Sequence, residues 1–390
     1  MKVLFVVTGL LAGGAETMMT EVALRGKRDG HEAMVVSLTG DEPLGARLRE
    51  AGIPVHALGL SFRFPNPLAV FRIAKIIKSF QPDLVQTWMY HSDLLGSLAT
   101  LLAGWRTSLR PASGRKSAIR KKTPLLWAIH HAADDPETLA PRTRWVLKLN
   151  ARLSHWLPDK IICCAESARD THVAAGYRAD KMTVIPNGVD VNRFRPNPAA
   201  REEVRRELGL APDTFLVGLC ARFHPAKDHL TFIYAASFFH KDNPEAHFLL
   251  TGANVTRKNF TLRTLLDLGG LSSHSHLLGL RADLPRLLPA LDVLVSSSRS
   301  EAFPLIIVEA MACGVPCVVT DVGDSALIVG ETGRVVPAEN PTEMAAALQW
   351  SRGRRLGELG QLARKRVESL YNLDLGAARY WKTYEEIRVR

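Results

Sequence analysis

The chain has 390 residues, of which 46% are hydrophobic and 23% charged, and its formal net charge is +11. This length indicates two domains of ordinary size, each able to bury a core of its own. The N-terminal apolar run is too short for a signal peptide, and no stretch reaches the ~20 apolar residues of a membrane-spanning helix. We therefore expect membrane contact, if any, to be peripheral, and the excess positive charge to serve a partner.

Cysteine usage predicts a reducing compartment. An odd number of cysteines in a chain of this size fits buried thiols in the cytoplasm rather than a disulfide framework. Cys313 and Cys317 have no second pair at zinc spacing, so no metal site is expected there. The five cysteines are Cys163, Cys164, Cys220, Cys313 and Cys317.

The N-terminal residues predict a buried parallel strand followed by a glycine loop. Val3–Val7 is a continuous apolar run, as expected for a strand covered on both faces. Gly13 and Gly14 then allow a backbone to approach a ligand closely, beside the start of a helix. The spacing differs from the Gly-x-Gly-x-x-Gly dinucleotide fingerprint. An ordinary strand–helix turn is the alternative.

Strand and helix patterns continue to alternate. Residues 33–38 and 84–88 read as strands, and residues 67–80 read as a helix with one basic side, for which packing on the sheet is favoured over bilayer contact. A polar cluster with His91 follows the second of these strands, where open α/β sheets place ligands. His91 is therefore an acceptor-site candidate, with a structural histidine as the alternative.

A basic segment at about residues 104–123 looks like an insertion. No acidic residue occurs between Asp93 and Asp134. Each basic residue near an anionic leaflet contributes on the order of 1 kcal/mol, so the segment predicts a patch for an anionic membrane surface or a polyprenyl-diphosphate acceptor. A solvated loop is the alternative. Nucleic acid is not expected, because no DNA- or RNA-binding motif accompanies the charge.

Two further strands and a turn complete the first half. Residues 125–129 form an apolar run that ends in His130 and His131, and residues 160–164 form another. The segment 184–190 contains Pro-Asn-Gly, a strong turn signal that predicts an interruption of regular secondary structure.

The second half concentrates charged residues after two predicted strands. Arg222 and Lys227 follow an apolar run at residues 215–220. The run 292–296 leads into the sequence SSSRSEAFPLIIVEAMACGVPCVVTD, in which Pro304 is placed to open a helix. Glu301 precedes this helix and Glu309 lies inside it. A helix start of this kind suits a diphosphate, and ionised carboxylates suit sugar hydroxyls.

The last stretch resembles the paired-glutamate signature of retaining glycosyltransferases of the GT4 type, in the GT-B superfamily. Glu301, Phe303 and Glu309 match the signature spacing, and Arg222 and Lys227 match the family's phosphate-binding pair. The loop Gly13-Gly14-Ala15-Glu16 is also similar to a glycine loop of that family. Pro304 stands where many relatives have glycine.

The resemblance implies an α/β GT-B fold with two Rossmann-like domains facing across a cleft. The acceptor-side domain is expected at residues 1–186, the nucleotide-sugar domain at 187–366, and a C-terminal helix at 367–390 returning to the first. The implied reaction transfers a sugar from a nucleoside-diphosphate-sugar to an acceptor hydroxyl with retained anomeric configuration. The nucleotide-sugar, commonly a UDP-sugar, is a co-substrate, and no cofactor or metal is implied.

The resemblance also implies residue roles. Arg222 and Lys227 stabilise the leaving diphosphate, Glu309 holds the ribose and Glu301 the donor sugar. His130 orients that sugar, with His131 in reserve, and His91 and His131 are acceptor candidates. The remaining donor-binding residues are expected to be Gly13, Gly14, Phe303, Pro304 and Leu305.

The expected acceptor is a lipid-linked oligosaccharide of surface polysaccharide biosynthesis, met by a cytoplasmic enzyme peripheral on the inner face of the membrane. A soluble glucan- or sucrose-type glycosyltransferase and a catalytically silent GT-B binding partner are the main alternatives. A DNA-modifying GT-B enzyme is a third alternative. Binding to duplex DNA with a steep dependence on salt concentration would indicate it.

Overall fold

The structure, a computed structural model, describes residues 1–11, 13–61, 68–108, 123–132, 140–352 and 355–389. The chain divides into two compact units. The first unit comprises Met1–Asn187 and Leu373–Arg390, and the second comprises Gly188–Asn372. Among the described helices, none combines the length and apolar character needed to cross a bilayer.

The first unit is a parallel sheet with helices on both faces. Its strands are β1 (Lys2–Val7), β2 (Glu32–Ser37), β3 (Val55–Ala57), β4 (Leu84–Trp88), β5 (Leu125–Ile129), β6 (Lys160–Cys163) and β7 (Met182–Val184). They are ordered β3-β2-β1-β4-β5-β6-β7. The strand order reverses between β1 and β4, so the carboxyl ends of these strands form the expected ligand-binding edge.

The helices of the first unit begin with α1 (Gly14–Arg28), α2 (Leu44–Glu50) and α3 (Leu68–Phe80), followed by α4 (Tyr90–Ser108), α5 (Pro141–Leu153) and α6 (Glu166–Ala174). The chain returns as the last helix, α15 (Leu373–Val389), which packs on α1. Its Trp381 indole donates to the Val22 carbonyl over 2.9 Å and lies directly against Gly26, where a Cβ would overlap the ring.

The second unit repeats the architecture. Its strands are β8 (Leu216–Cys220), β9 (His247–Thr251), β10 (Ser275–Leu277), β11 (Val293–Ser296), β12 (Cys317–Thr320) and β13 (Arg334–Val336). Their order is β10-β9-β8-β11-β12-β13, and all neighbours are parallel. The predicted fold class, two Rossmann-like α/β sheets, is therefore confirmed. The reversal here falls between β8 and β11.

The helices of the second unit are α7 (Pro198–Glu207), α8 (His229–Asp242), α9 (Phe260–Leu268), α10 (Leu284–Leu287), α11 (Leu305–Ala312), α12 (Ser325–Val329), α13 (Pro341–Arg352) and α14 (Leu356–Leu370). The core is formed by side chains of the inner strands, among them Val217, Leu219, Phe248 and Val293, packed against Phe232 of α8.

One predicted boundary differs from the structure, and one predicted segment lies largely outside the described residues. Pro304 was expected inside the first helical turn, but it is the N-cap of α11 with extended backbone, at ψ 97°, and the helix begins at Leu305. The basic insertion was predicted at about residues 104–123, and α4 runs through its first residues to Ser108. Residues 109–122 of that predicted insertion lie outside the described residues.

Four histidines cluster at the edge of the second sheet. The Nδ1 atom of His247 lies 3.0 Å from Nε2 of His276, and the ring of His274 lies 4.3 Å from that of His240 and 5.1 Å from that of His247. Burial, with neighbouring positive charge from His247 and Arg257, lowers the pKa of His276 to about 4. The pKa values of His247 and His240 are lowered by burial and by His274.

We expect this cluster to make the second unit acid-labile. The unfolded chain takes up protons below the ordinary histidine pKa of 6.5, whereas folded His276 resists them until about pH 4. Stability should therefore fall as the pH drops through this window. His276→Gln should flatten the pH dependence of the thermal midpoint, whereas His56→Gln, at an exposed position in β3, should not. If the thermal midpoint changed equally with pH in both variants, the acid lability could not be assigned to His276.

Candidate functional site

The sequence-predicted residues of the second unit gather where its strand order reverses. The chain leaves β8 through Ala221–Asp228 and leaves β11 through Ser297–Pro304, and β8 and β11 are neighbours in the sheet. Open α/β sheets bind ligands outside the carboxyl ends of strands at such a point.

Side-chain and backbone hydrogen bonds join these two loops. Ser297 Oγ donates to the Lys227 carbonyl over 2.9 Å, and the Arg299 N–H donates to the Ala226 carbonyl over 2.8 Å. Arg299 also pairs with Asp228 at 2.9 Å. Burial opposes ionisation of Asp228, but hydrogen bonds from Arg299 and Thr231 outweigh it and lower its pKa. The loops are thus held in one fixed arrangement.

The centre of the arrangement is an ion pair between Lys227 and Glu301. Ser298 Oγ donates to the same Glu301 oxygen over 2.8 Å, and Thr320 Oγ1 holds the Ser298 carbonyl at 2.6 Å. Both charged side chains remain partly accessible, at 23% for Lys227 and 13% for Glu301. A ligand can therefore reach them, and it meets one cation and one anion already oriented.

Two glycines let neighbouring loops approach this centre. Gly323 has φ +55°, and a Cβ there would overlap the Glu301 carbonyl oxygen. Gly252 has φ +147°, and a Cβ there would overlap the backbone of Ala221. Both positions require glycine, because left-handed backbone and lack of space act together.

We expect Gly323→Ala to damage the site and Gly270→Ala to leave it intact. Gly270 has a similar φ of +70° but nothing within 4 Å of its missing Cβ. Both substitutions should cost about 1–2 kcal/mol of stability from the backbone alone. Only Gly323→Ala also displaces the Glu301 loop, so the activity of this site should fall at least tenfold further than in Gly270→Ala. Equal activity in the two variants would contradict a positioning role for Gly323.

Arg222 and the start of α11 lie beside the ion pair in the chain. Arg222 follows β8 by two residues and is exposed, and among the described residues no ion pair engages it. Pro304 caps α11, so the N–H groups of Leu305 and Ile306 have no acceptor within the helix, whereas the Ile307 N–H donates to the Pro304 carbonyl over 3.1 Å. Phe303 was predicted to bind donor, but it is 8% exposed and packs edge-on against Tyr371. Its side chain belongs to the core, which leaves its backbone to reach a ligand.

Glu309 is a half-buried carboxylate within α11. Burial raises its pKa to about 7, and the charge of Arg193 acts in the opposite direction. Cys220 lies at the end of β8. Burial, and to a smaller extent the negative charge of Glu309, raises the pKa of Cys220 to about 12. Glu309 therefore lies near the carboxyl end of β8.

His130 occupies the carboxyl end of β5 in the first unit. Its ring stacks on Trp88 with centroids 4.7 Å apart, and Nε2 lies 3.3 Å from the hydroxyl of Tyr380 in α15. Burial lowers its pKa to about 3, and the neighbouring side chain of Asn187 acts more weakly in the opposite direction. The imidazole is therefore neutral at physiological pH and can donate or accept a hydrogen bond.

The remaining candidates of the first unit lie at nearby strand ends. Gly13 is the N-cap of α1, which begins at Gly14, and Glu16 folds back over Gly13 where a side chain would collide. His91 lies in the first turn of α4, and burial lowers its pKa. His131 is exposed directly after His130.

Sequence reasoning gave no role to Ser298, Arg299, Asp228 or Tyr380. The polar run before Glu301 was the only signal for the first two, and nothing local marks Tyr380, which lies 250 residues from His130. Within the described part of the chain, no three His, Cys, Asp or Glu side chains converge as metal ligands.

Comparisons with known proteins agree with this geometry. The family model described as Glycosyltransferase Family 4 matches residues 12–193, and the one described as Glycosyl transferases group 1 matches residues 214–351. Together these matches span most of the chain.

Two curated relatives and one solved structure illustrate the similarity. The chain is 28% identical over 273 residues to UDP-Gal:alpha-D-GlcNAc-diphosphoundecaprenol alpha-1,3-galactosyltransferase of Escherichia coli, covering 67% of this chain and 64% of that protein. It is 32% identical over 202 residues to D-inositol 3-phosphate glycosyltransferase of Paenarthrobacter aurescens (strain TC1), covering 50% of this chain and 49% of that protein. The aligned part is less than two thirds of either relative.

The crystal structure of Anabaena Alr3699/HepE in complex with UDP-glucose superposes with a TM-score of 0.80 at 22% identity, covering 99% of this chain and 100% of that one. A likeness at this identity concerns the fold. With both family models matched in order along the chain, the protein belongs to the GT4-type glycosyltransferases and has their GT-B class of α/β fold.

Proposed function

We propose that the protein transfers a sugar from a UDP-sugar to an acceptor hydroxyl with retention of anomeric configuration. The observation that carries the proposal is the oriented Lys227–Glu301 pair at the strand-order reversal of the second unit. A nucleotide-sugar presents a diphosphate and several hydroxyls side by side, and this pair offers one group for each. UDP is favoured because HepE was crystallised with UDP-glucose.

The proposed chemistry is electrostatic stabilisation of the leaving group. Negative charge grows on the diphosphate as the glycosidic bond breaks, and we assign its balance to Arg222, Lys227 and the N–H groups at the start of α11. Glu301, already fixed by Ser298, accepts hydrogen bonds from sugar hydroxyls. Glu309 accepts hydrogen bonds from the ribose.

Retention requires the acceptor to attack from the face that the diphosphate leaves. We propose that a leaving phosphate oxygen takes the acceptor's proton, which dispenses with a protein base. This fits a neutral His130, whose lowered pKa makes it a hydrogen-bonding group for sugar rather than an acid. His91 and His131 remain the proposed acceptor contacts.

The proposed acceptor is a lipid-linked saccharide of polysaccharide biosynthesis, at the cytoplasmic face of a membrane. Support comes from the E. coli relative, whose name specifies a diphosphoundecaprenol-linked acceptor. The Paenarthrobacter relative instead names inositol 3-phosphate, a water-soluble acceptor, and motivates a second candidate of soluble type.

Thermal-shift screening of nucleoside diphosphates and their sugars tests the donor, since a ligand at 100 times its Kd stabilises by about 2.7 kcal/mol. Transfer is then measured from the stabilising UDP-sugar to undecaprenyl-diphosphate GlcNAc and to inositol phosphate. NMR of the new anomeric proton reports configuration. Stabilisation by ADP- or GDP-sugars alone, or an inverted product, would overturn the corresponding part of the proposal.

A further inference from the structure

Three neighbouring helices of the first unit expose large apolar side chains to solvent. Helix α4 packs against both α3 and α5, so the three form one layer over the sheet. Their inward side chains, such as Ile73 and Val146, are buried. The surface that faces outward, called here the α3–α5 face, is defined by Leu68, Phe71, Leu98, Leu101, Trp145 and Trp156, the last just beyond α5.

The exposed charged residues on these three helices are all basic. Helices α3, α4 and α5 contain a single acidic residue, Asp93, and it is fully buried. Burial raises the pKa of Asp93 well above its usual range, and the side chain lies beneath the surface that faces outward. The exposed basic residues on these helices are Arg72, Lys75, Lys78, Arg142, Lys148 and Arg152. The α3–α5 face is therefore cationic throughout its described part.

Helix α5 mixes the two kinds of residue most closely. Trp145, Lys148 and Arg152 recur at spacings of three and four, which places them on one side of the helix. Trp145 is 63% exposed and Trp156 is 72% exposed. Lys181 Nζ donates to the Pro158 carbonyl over 2.8 Å and fixes the turn that carries Trp156. Exposed apolar surface that is rimmed by polar residues marks an interaction site, and this side of α5 combines tryptophan with basic side chains.

An open groove lies beside these residues. It has a volume of about 680 Å³ and runs between the end of α5 and Gly176. Lys148, Arg152, His155 and Trp156 line it. Basic side chains with an indole at the rim match a lipid headgroup, whose phosphate is anionic and whose glycerol ester region lies at the membrane–water interface, where tryptophan is enriched.

We propose that the α3–α5 face docks on an anionic lipid bilayer, with Trp145 and Trp156 at headgroup level and Lys148 and Arg152 against lipid phosphates. Tryptophan prefers the membrane–water interface, and exposed Lys and Arg add affinity for anionic leaflets. An acidic protein or nucleic acid would account for the charge, whereas the exposed leucines of α3 and α4 favour a bilayer. The inference rests on the proposed function for its purpose, because a lipid-linked acceptor is presented at a membrane.

Vesicle flotation without donor or acceptor tests this surface separately from catalysis. The full chain should float with vesicles of phosphatidylcholine containing about 30 mol% phosphatidylglycerol, and far less with phosphatidylcholine alone. Lys148→Glu/Arg152→Glu should lower the bound fraction at least tenfold, since each basic residue contributes on the order of 1 kcal/mol. Trp145→Ala/Trp156→Ala should lower it several-fold. Lys241→Glu/Lys365→Glu, with the same charge change at exposed sites of the second unit, should bind as wild type.

Wild-type flotation by both α5 variants would overturn the proposal, as would binding that depends only on residues 109–122 and disappears when they are deleted. Binding of the face to RNA or DNA oligonucleotides in place of vesicles would overturn it as well. Circular-dichroism melts show whether each variant is folded. Donor-induced thermal shifts that persist in non-floating variants would leave the transferase proposal standing.

Discussion

Replacing Lys227 with alanine should reduce kcat/KM for the nucleotide-sugar at least tenfold while the protein stays folded. The ammonium is the only described cation that the structure places directly on Glu301. Its loss would remove the proposed charged contact to the leaving diphosphate, worth about 1.5–3 kcal/mol. Steady-state kinetics with varied donor measure the effect, and the thermal midpoint reports folding.

Lys241→Ala is the matched control, because Lys241 is an exposed lysine in the last turn of α8, whereas Lys227 precedes the first turn of that helix. It should leave the rate unchanged. Lys227→Arg should restore part of the activity, since it returns the charge with a different shape. A near-normal rate for Lys227→Ala would remove the site assignment, whatever the control shows.

Replacing Glu309 with glutamine should weaken donor binding at least tenfold near pH 8 and at the same time raise stability. The folded pKa of about 7 lies above the ordinary value of 4.5, so the folded protein retains a proton that the unfolded chain releases between these values. Stability therefore falls as the pH rises through this window, and the full cost remains above it. Glutamine carries no charge to bury, and the gain near pH 8 should be on the order of 1–3 kcal/mol.

Thermal melts of wild type and Glu309→Gln near pH 5 and pH 8 measure this effect. The variant should gain roughly 2–4 °C per kcal/mol near pH 8 and little near pH 5. Calorimetric titration with UDP measures the loss of affinity at the higher pH. A variant that binds UDP normally would contradict the ribose role, and a variant that is less stable at both pH values would contradict the burial cost.

The alternation of strands and helices was predictable because each buried strand is a short apolar run bounded by glycine, proline or polar residues. Val3–Val7 and residues 125–129 are clear examples, and the structure has β1 and β5 there. Two parallel sheets then follow from right-handed crossovers. The start of α11 was predicted one residue early. Proline can be either the N-cap or the first residue of a helix, and the local sequence does not distinguish these two positions.

The internal contacts of the candidate site were less accessible to sequence reasoning. Lys227 and Glu301 lie 74 positions apart, and only the strand order brings them together. Resemblance to a family identified both residues but not their pairing with each other or with Ser298. For Phe303 the family signature identified the residue but not its role. An aromatic residue at that position is compatible with ligand contact and with core packing, and only the contact with Tyr371 in the structure favours packing.

Both ends of the second unit meet at one place, where Val189 forms a parallel bridge with Asn372 and its N–H donates to the Tyr371 carbonyl over 2.9 Å. The segment 188–372 is thus one uninterrupted length of chain whose termini are neighbours, as in inserted domains. It should be excisable as an autonomous recombinant fragment, or replaceable by the corresponding fragment of a relative. Such chimaeras would allow nucleotide preference to be exchanged independently of whatever the surrounding polypeptide recognises.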